Sequence, residues 1–511
     1  MSEINRRSAR EAEIQARPKK KDNETKLRQQ LQAAGILSTT SPSPSSRVSA
    51  YQTVAEENEA RTTSVTDMAR VFQAQLPTLV KRLRLITDVR NPNKIKHTLV
   101  CLLLYGILVF VLHFTSRRQA NAEITRPIFE ENLRLLFPEL DSMPHADTLF
   151  RLLSKIDVGQ IEQAHIDLVQ RLIYKKKFAA YRINNCYPIA IDGTEKMAGG
   201  VLWSDSMQER RTKGAKKDAP GDTRYQYYIS VLEANLCFRN GMVIPLMSEF
   251  LDYQQGDTAQ QKQDCEQRAF HRLAERLKKA FPKLPIMLLL DGLYPNGPIM
   301  ARCHDYNWQF MIVLKDGSLP SVWEEYRGLS QLQPNNEHTQ QWHGREQHFS
   351  WANQIRYEYG DNNKHLTVHT VVCKEQWQIV DEYGNTVIKE SKHAWVSSSP
   401  LRRENVHDRC NLAARYRWGI EACNLVEKHQ GYSYEHCFAK NWNAMRGYHC
   451  LMRLAHLLNT LARFSSVLIK QHQELGVQAF IRFVRSTLSA SCLDPQIVKQ
   501  RLIAPFQLRF T

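Results

Sequence analysis

Two short apolar runs in this 511-residue chain end in an aspartate followed by glycine. YPIAIDGT at 187–194 carries Asp192, and PIMLLLDGLYPNG at 285–297 carries Asp291. A third acid, Glu421, lies in the helix-like stretch RYRWGIEACNLVEK, with Arg417 one turn before it and Lys428 two turns after. Offsets of four and seven put those three on one helical face. Three carboxylates brought to one point repel, each pair at about 4 Å by roughly 4 kcal/mol for an effective dielectric near 20. A hard divalent ion such as Mg²⁺ relieves that repulsion, held by one or two carboxylates, waters and substrate phosphate oxygens. Two such ions about 3.5 to 4 Å apart can activate a water or a 3′-hydroxyl on one side of a phosphodiester and stabilise the departing oxygen on the other. Arg417 and Lys428 would then steady flanking phosphates, the arginine bidentately. Each residue also has a plainer reading: Asp before Gly often begins a turn, and Glu421 with Arg417 is an ordinary i, i+4 pair.

The elements around these acids decide whether they can meet. CYPIAI reads as a buried strand. YQYYISVLEANLCF and MVIPLMSEFL read as a hairpin joined at Arg239-Asn240-Gly241. A polar helix over about 258–280 follows, then PIMLLL, a helix after Gly297, and WQFMIVL at 308–314. A hairpin, a crossover helix and a parallel strand set the first and fourth strands side by side, which makes Asp192 and Asp291 neighbours. Residues 320–392 read as antiparallel strands of a separate β-rich insertion, with HAWVSS returning to the main sheet, and helix dominates thereafter.

Apolar residues at three- and four-residue spacing predict a helical region over 65–180, whose basic helix at 78–90 could touch phosphates. Its run LVCLLLYGILVFVL at 99–112 is shorter than the roughly 20 residues a bilayer requires, so a buried helix is expected rather than a membrane span. Residues 1–64 combine Arg and Lys clusters with STTSPSPSS and predict a disordered basic tail, either a nucleic-acid-binding arm or simply solvated. WSDSMQERRTKGAKKDAPGDTRY at 203–225 reads as a mobile basic loop, near DNA or merely solvated. The net charge of +17 favours phosphate-rich partners, nucleic acid or an anionic membrane surface. No hydrophobic signal core opens the chain, and the eleven cysteines include no CxxC pair, so a cytoplasmic protein with free thiols is expected. The pairs His436-Cys437 and His449-Cys450 could chelate a metal, but packing explains them more readily. Trp418 could stack on a base, though an aromatic in an amphipathic helix more often packs.

AIDGT, LLLDGLYPNGP, and RYRWGIE followed by Lys428 resemble the DDE insertion-sequence transposases, particularly the group with a β-rich insertion between the second Asp and the Glu. KQDCE at 262–266 and HQGYSYEHCF at 429–438 are similar to segments of one subgroup, and the likeness runs from about 186 to 460. Its helical prelude is similar in kind but not in motif. The resemblance implies an α/β fold: an RNase H-like mixed sheet flanked by helices, with an N-terminal helical domain and a β-rich insertion. The corresponding map is a tail at 1–64, a DNA-binding helical domain at 65–180, the catalytic core at 181–319 and 393–470 around the insertion at 320–392, and a helical segment at 471–511.

By the same resemblance Asp192, Asp291 and Glu421 bind Mg²⁺, with Mn²⁺ as an alternative, and Arg417 and Lys428 bind DNA phosphate. Asp264 and Glu266 are candidate supporting acids. The implied activity is cleavage of double-stranded DNA at transposon ends and strand transfer into target DNA by a homodimer, without membrane association. One departure stands out: the family's signature tyrosine falls where this chain has Ala414, and Tyr416 is out of register. A nuclease that cuts without joining, and a DNA-binding derivative with an inactive centre, are the rival readings.

Overall fold

In the computed structural model, residues 3–34, 49, 51–211, 225–251, 259–360 and 364–510 are described. The order is α1 (Glu3–Ala33), α2 (Val54–Gln73), α3 (Leu76–Leu83), α4 (Leu99–Val111), α5 (Arg117–Ile124), α6 (Pro127–Leu136), α7 (Ala146–Leu153), α8 (Val158–Tyr174), β1 (Tyr187–Gly199), β2 (Gln208–Arg211), β3 (Tyr225–Cys237), β4 (Val243–Phe250), α9 (Ala259–Ala280) and β5 (Ile286–Leu290). Then come α10 (Gly297–Asp305), β6 (Gln309–Val313), α11 (Pro320–Leu332), β7 (Glu337–Trp342), β8 (Arg345–Tyr359), β9 (Lys364–Val380), β10 (Thr386–Ser397), α12 (Trp418–His429), α13 (Trp442–Arg463), α14 (Ile469–Leu475), α15 (Val477–Leu488) and α16 (Pro495–Ile503). The chain divides into two compact units, Met1–Ser45 with Met287–Arg415, and Ser46–Ile286 with Tyr416–Thr511.

In the first unit the strand order is β5-β6-β10-β9-β8-β7. β5 and β6 are parallel, Met287 facing Gln309 and Leu290 facing Ile312, while the other neighbours are antiparallel, so this is a mixed sheet. The crossover between the parallel strands is α10, capped by the Asn296 side chain with Pro298 at its start. HAWVSS does return as expected: Trp395 faces Val313 of β6. The antiparallel strands of the region 320–392 extend the sheet of β5 and β6. The region also begins with α11, where strands alone are expected. There Val322 and Trp323 are buried, and the Trp323 indole donates to the Lys315 carbonyl. At the N-terminus, where composition predicts an unordered tail, α1 is a helix that packs on β9 and bonds Asn23 to the Gly384 carbonyl. Strong helix formers (Ala, Arg, Lys, Glu, Gln) fill that stretch, whereas STTSPSPSS lies outside the described residues.

In the second unit β3 pairs with β1 along one edge and with β2 and then β4 along the other, all antiparallel. The β3–β4 hairpin turns at Gly241, whose φ of +82° suits glycine. β2 occupies part of the expected loop at 203–225, and residues 212–224 lie outside the described residues. α4 is a buried helix against α13, so close that a Cβ on Gly106 would stand 2.7 Å from Leu451. No described helix is long and apolar enough to cross a membrane. The expected basic helix at 78–90 is the shorter α3. It buries Leu76, Leu79, Val80 and Leu83 and pairs Arg82 with Asp167 of α8.

Candidate catalytic site

β1 runs dry and then emerges. Ile189, Ala190 and Ile191 are fully buried, and Asp192 is the first half-buried residue of the strand. Its partner across the ladder is Glu233 of β3, and directly opposed residues project to one face of a sheet. The next residue meets an acid from α9: a Cβ on Gly193 would stand 3.2 Å from the Glu266 carboxylate, on the face opposite to the Asp192 side chain because successive strand residues alternate. The Asp264 side chain lies outside the described residues.

α12 packs on β1 and on the β3–β4 hairpin. Its buried stripe is Ile420, Cys423, Asn424 and Glu427, the three-four-seven spacing of a helix seated on a sheet. Glu421 falls outside that stripe, in the first turn, with 53% of its side chain exposed. The helix N-terminus favours its charge. Arg417 Nη2 reaches it at 2.7 Å, and that guanidinium is itself buried, with Nε lacking a protein partner. Lys428 lies 3.3 Å from Glu435. Trp418 is 62% exposed, contrary to the packing expected of it. Trp418 opens α12, and the helical step places it opposite the buried stripe; a 3₁₀ turn at Ala414–Arg417 precedes it.

Asp291, in the first unit, follows β5 and is half-buried. Its Oδ1 accepts from the Leu293 N–H at 2.8 Å and its carbonyl accepts from Tyr294, so the turn-forming role of an Asp-Gly pair is realised here. The Lys315 side chain lies against Gly292, which places a cation beside this turn that the sequence did not single out.

A buried charge cluster in the second unit was not singled out from the sequence. Glu233 accepts from Ser248 Oγ at 2.6 Å and Tyr434 Oη at 3.0 Å, and lies 3.2 Å from Arg453 and 3.3 Å from His449. Glu427 lies 3.0 Å from Arg453 and 2.6 Å from His456. Lys196, extruded by a bulge in β1, donates to the Tyr434 carbonyl at 3.0 Å. Burial would push both carboxyls up. For Glu233, Arg453 and His449 outweigh it and hold the group at about 2, and for Glu427, Arg453 and His456 lower it likewise. Burial pushes Lys196 down to about 8 despite Glu233 and Glu427. The two carboxylates are matched by Arg453 and Lys196. Glu375 is the counterpart in the first unit, enclosed by Arg345 at 2.9 Å, Arg415 and Gln347.

Cys423, Glu427 and His456 offer ligand atoms within 4.8 Å of one another. These types bind zinc, but Arg453 already supplies the positive charge beside Glu427, so a structural ion pair accounts for them. The two His-Cys pairs do not form such a group among the described residues; His449 belongs to the Glu233 cluster.

Residues 80–169 match the family model described as DDE_Tnp_1-associated. The match covers the helical segment from α3 into α8 and ends before β1. It gives the chain the context of the DDE-type transposases and indicates a transposase-related function. No curated protein matches the chain.

Proposed function

We propose that the protein is a Mg²⁺-dependent transposase that hydrolyses the phosphodiester at the ends of its own mobile element and joins the freed 3′-hydroxyl to target DNA. Asp192, Asp291 and Glu421 are its metal-binding acids, on an RNase H-like core, and the working complex is a homodimer on double-stranded DNA. The observation that carries this reading is the seating of α12 on β1, which brings the helix of Arg417 and Glu421 onto the strand of Asp192. The start of β1 is tied to the residue ahead of β5 by the Tyr187 N–H to Pro285 carbonyl bond at 2.8 Å.

The donors fit the ion: all are carboxylate oxygens, half-buried or exposed, as a hydrated hard cation requires. Bound there, the metal would activate the attacking oxygen and offset charge on the leaving one. The chain's own residues bind and orient. Arg417 positions Glu421 through its Nη2, and its guanidinium would steady a phosphate oxygen beside that acid. Lys428 neutralises a neighbouring phosphate, and exposed Trp418 is placed to stack on an unpaired base.

The test is a supercoiled plasmid carrying the element ends, incubated with the protein and Mg²⁺. Asp192→Ala, Asp291→Ala and Glu421→Ala, taken singly, should each lower cleavage by at least about a hundredfold, since a lost metal contact is worth several kcal/mol. DNA binding should persist. Full cleavage by any one of them removes that residue from the site, and cleaved but unjoined products select a nuclease. The rival reading, a DNA-binding derivative with an inactive centre, predicts binding with no cleavage in Mg²⁺ or Mn²⁺.

A further inference from the structure

Three segments of the second unit, distant in sequence, meet on a floor of rings. Phe178 stacks on Phe510 with centroids 5.8 Å apart and lies 5.3 Å from Phe238, and Tyr181 lies 5.6 Å from Phe238. This joins the turn after α8, the β3–β4 hairpin and the C-terminal stretch, which is also held by the Ser465–Phe510 bridge. Lys175, Lys176, Arg182, Arg239 and Arg509 stand exposed around that floor. Arg239 donates to the Ala180 carbonyl at 3.4 Å, and Lys177 to the Leu508 carbonyl at 2.5 Å. The end of α9 adjoins them through the Gln170 to Ala280 bond at 2.6 Å and adds exposed Lys279 and Lys283.

The charge here is one-sided. Residues 171–186, 236–243 and 504–511 contain no Asp or Glu, and among the described residues none of these cations forms an ion pair with a carboxylate. Elsewhere in the same unit the chain matches its cations, as in Arg61 with Glu57, Arg82 with Asp167 and Arg134 with Glu130. Burial, then Lys175 and Arg509, lower the proton affinity of Lys177, consistent with uncompensated cations at close range. The surface also reaches the start of α12. Arg239 acts on Tyr416, and a Cβ on Gly419 would stand 3.2 Å from Val243 of the hairpin.

We propose that this surface is a second contact for the phosphate backbone of duplex DNA, carrying the DNA that flanks the scissile bond away from the start of α12. The proposal rests on the functional reading above. Its aromatic floor is buried, Phe178 and Phe238 fully so, which suits a polyanion lying across cations rather than a lipid surface that needs apolar groups to insert.

The experiment measures binding of a duplex of about 50 base pairs as a function of salt, using Glu421→Gln so that the DNA stays intact; each phosphate contact adds roughly 0.9 to the slope of log affinity against log salt. Adding Lys175→Ala, Lys176→Ala and Arg509→Ala should lower that slope by roughly 2 to 3 and weaken binding about a hundredfold near 0.1 M salt. Replacing the acid-paired Arg61, Arg82 and Arg134 by Ala should lower the slope by less than about 1. An unchanged slope in the first triple, an equal drop in the second, or loss confined to binding of phosphatidylserine vesicles overturns the proposal. If the protein never cuts DNA yet the slope falls as stated, the assignment of the acids fails and this surface stands. If it cuts and the slope does not move, the surface fails alone.

Discussion

Glu421 and Glu427 sit on one helix six residues apart, and the fold treats them in opposite ways. Glu427 is fully buried between Arg453 and His456, in a cluster whose charges the chain itself balances. Glu421 is more than half exposed, held only by the neighbouring Arg417 among the described residues. Across the β1–β3 ladder, Glu233 is fully buried and the opposed Asp192 half-buried. A carboxylate taken out of water must bring a permanent cation with it, because the desolvation cost is several kcal/mol. One left at the surface can exchange its partner for a metal ion. Burial therefore separates the acids that hold the fold, Glu233 and Glu427, from Glu421, which stands at the surface.

The widest test of this division is stability. Removing Arg453 by Arg453→Ala leaves Glu233 and Glu427 buried without their cation and should cost about 3 to 5 kcal/mol, read from denaturant unfolding. Glu421→Ala should change stability by no more than about 0.5 kcal/mol. If the two cost the same, the contrast is empty.

Next in size is acid sensitivity. Glu233 is held near 2 in the folded protein against an ordinary 4.5, so its contribution is complete above about pH 4.5 and fades as pH falls towards 2. The thermal midpoint should drop over that window, and the part of the drop due to this group should be absent in Glu233→Gln. A smaller effect is expected for Lys196→Met, which removes a buried ammonium and its bond to the Tyr434 carbonyl and should cost about 1 to 3 kcal/mol. Smallest in stability is Arg417→Lys. It should cost no more than about 1 kcal/mol yet lower cleavage about tenfold, because an ammonium cannot bridge Glu421 and a phosphate as a guanidinium does.

Much of the strand framework was legible because it rests on local pattern. The apolar runs ending at Asp192 and Asp291 are β1 and β5, the Asn-Gly pair marks the β3–β4 hairpin, and the fourteen-residue greasy run is a buried helix. Local pattern could not show that the strands after 320 join the sheet of β5 and β6, since pairing partners are set by long-range register rather than by composition. It also missed α1, where charge suggested an unordered tail while helix propensity pointed the other way. The buried cluster left only faint marks: Glu233 within YISVLEANLCF, and Arg453 and His456 inside the apolar stripe of α13. An ionisable group in an apolar run announces that it has a partner without saying which. The exposure of Trp418 follows from which face of α12 is buried, and that face is set by packing on β1 and the β3–β4 hairpin, not by the residue type.

The central claim is that Asp192, Asp291 and Glu421 share divalent ions. Loading the protein with Fe²⁺ in place of Mg²⁺ and adding ascorbate and peroxide generates hydroxyl radicals at the bound ion, which cut the backbone nearby. The account predicts fragments ending near 192, 291 and 421 together, all suppressed by excess Mg²⁺ and all lost in Asp192→Ala. Cuts confined to the region of Cys423 and His456, or a pattern in which one of the three acids is never marked, would contradict it.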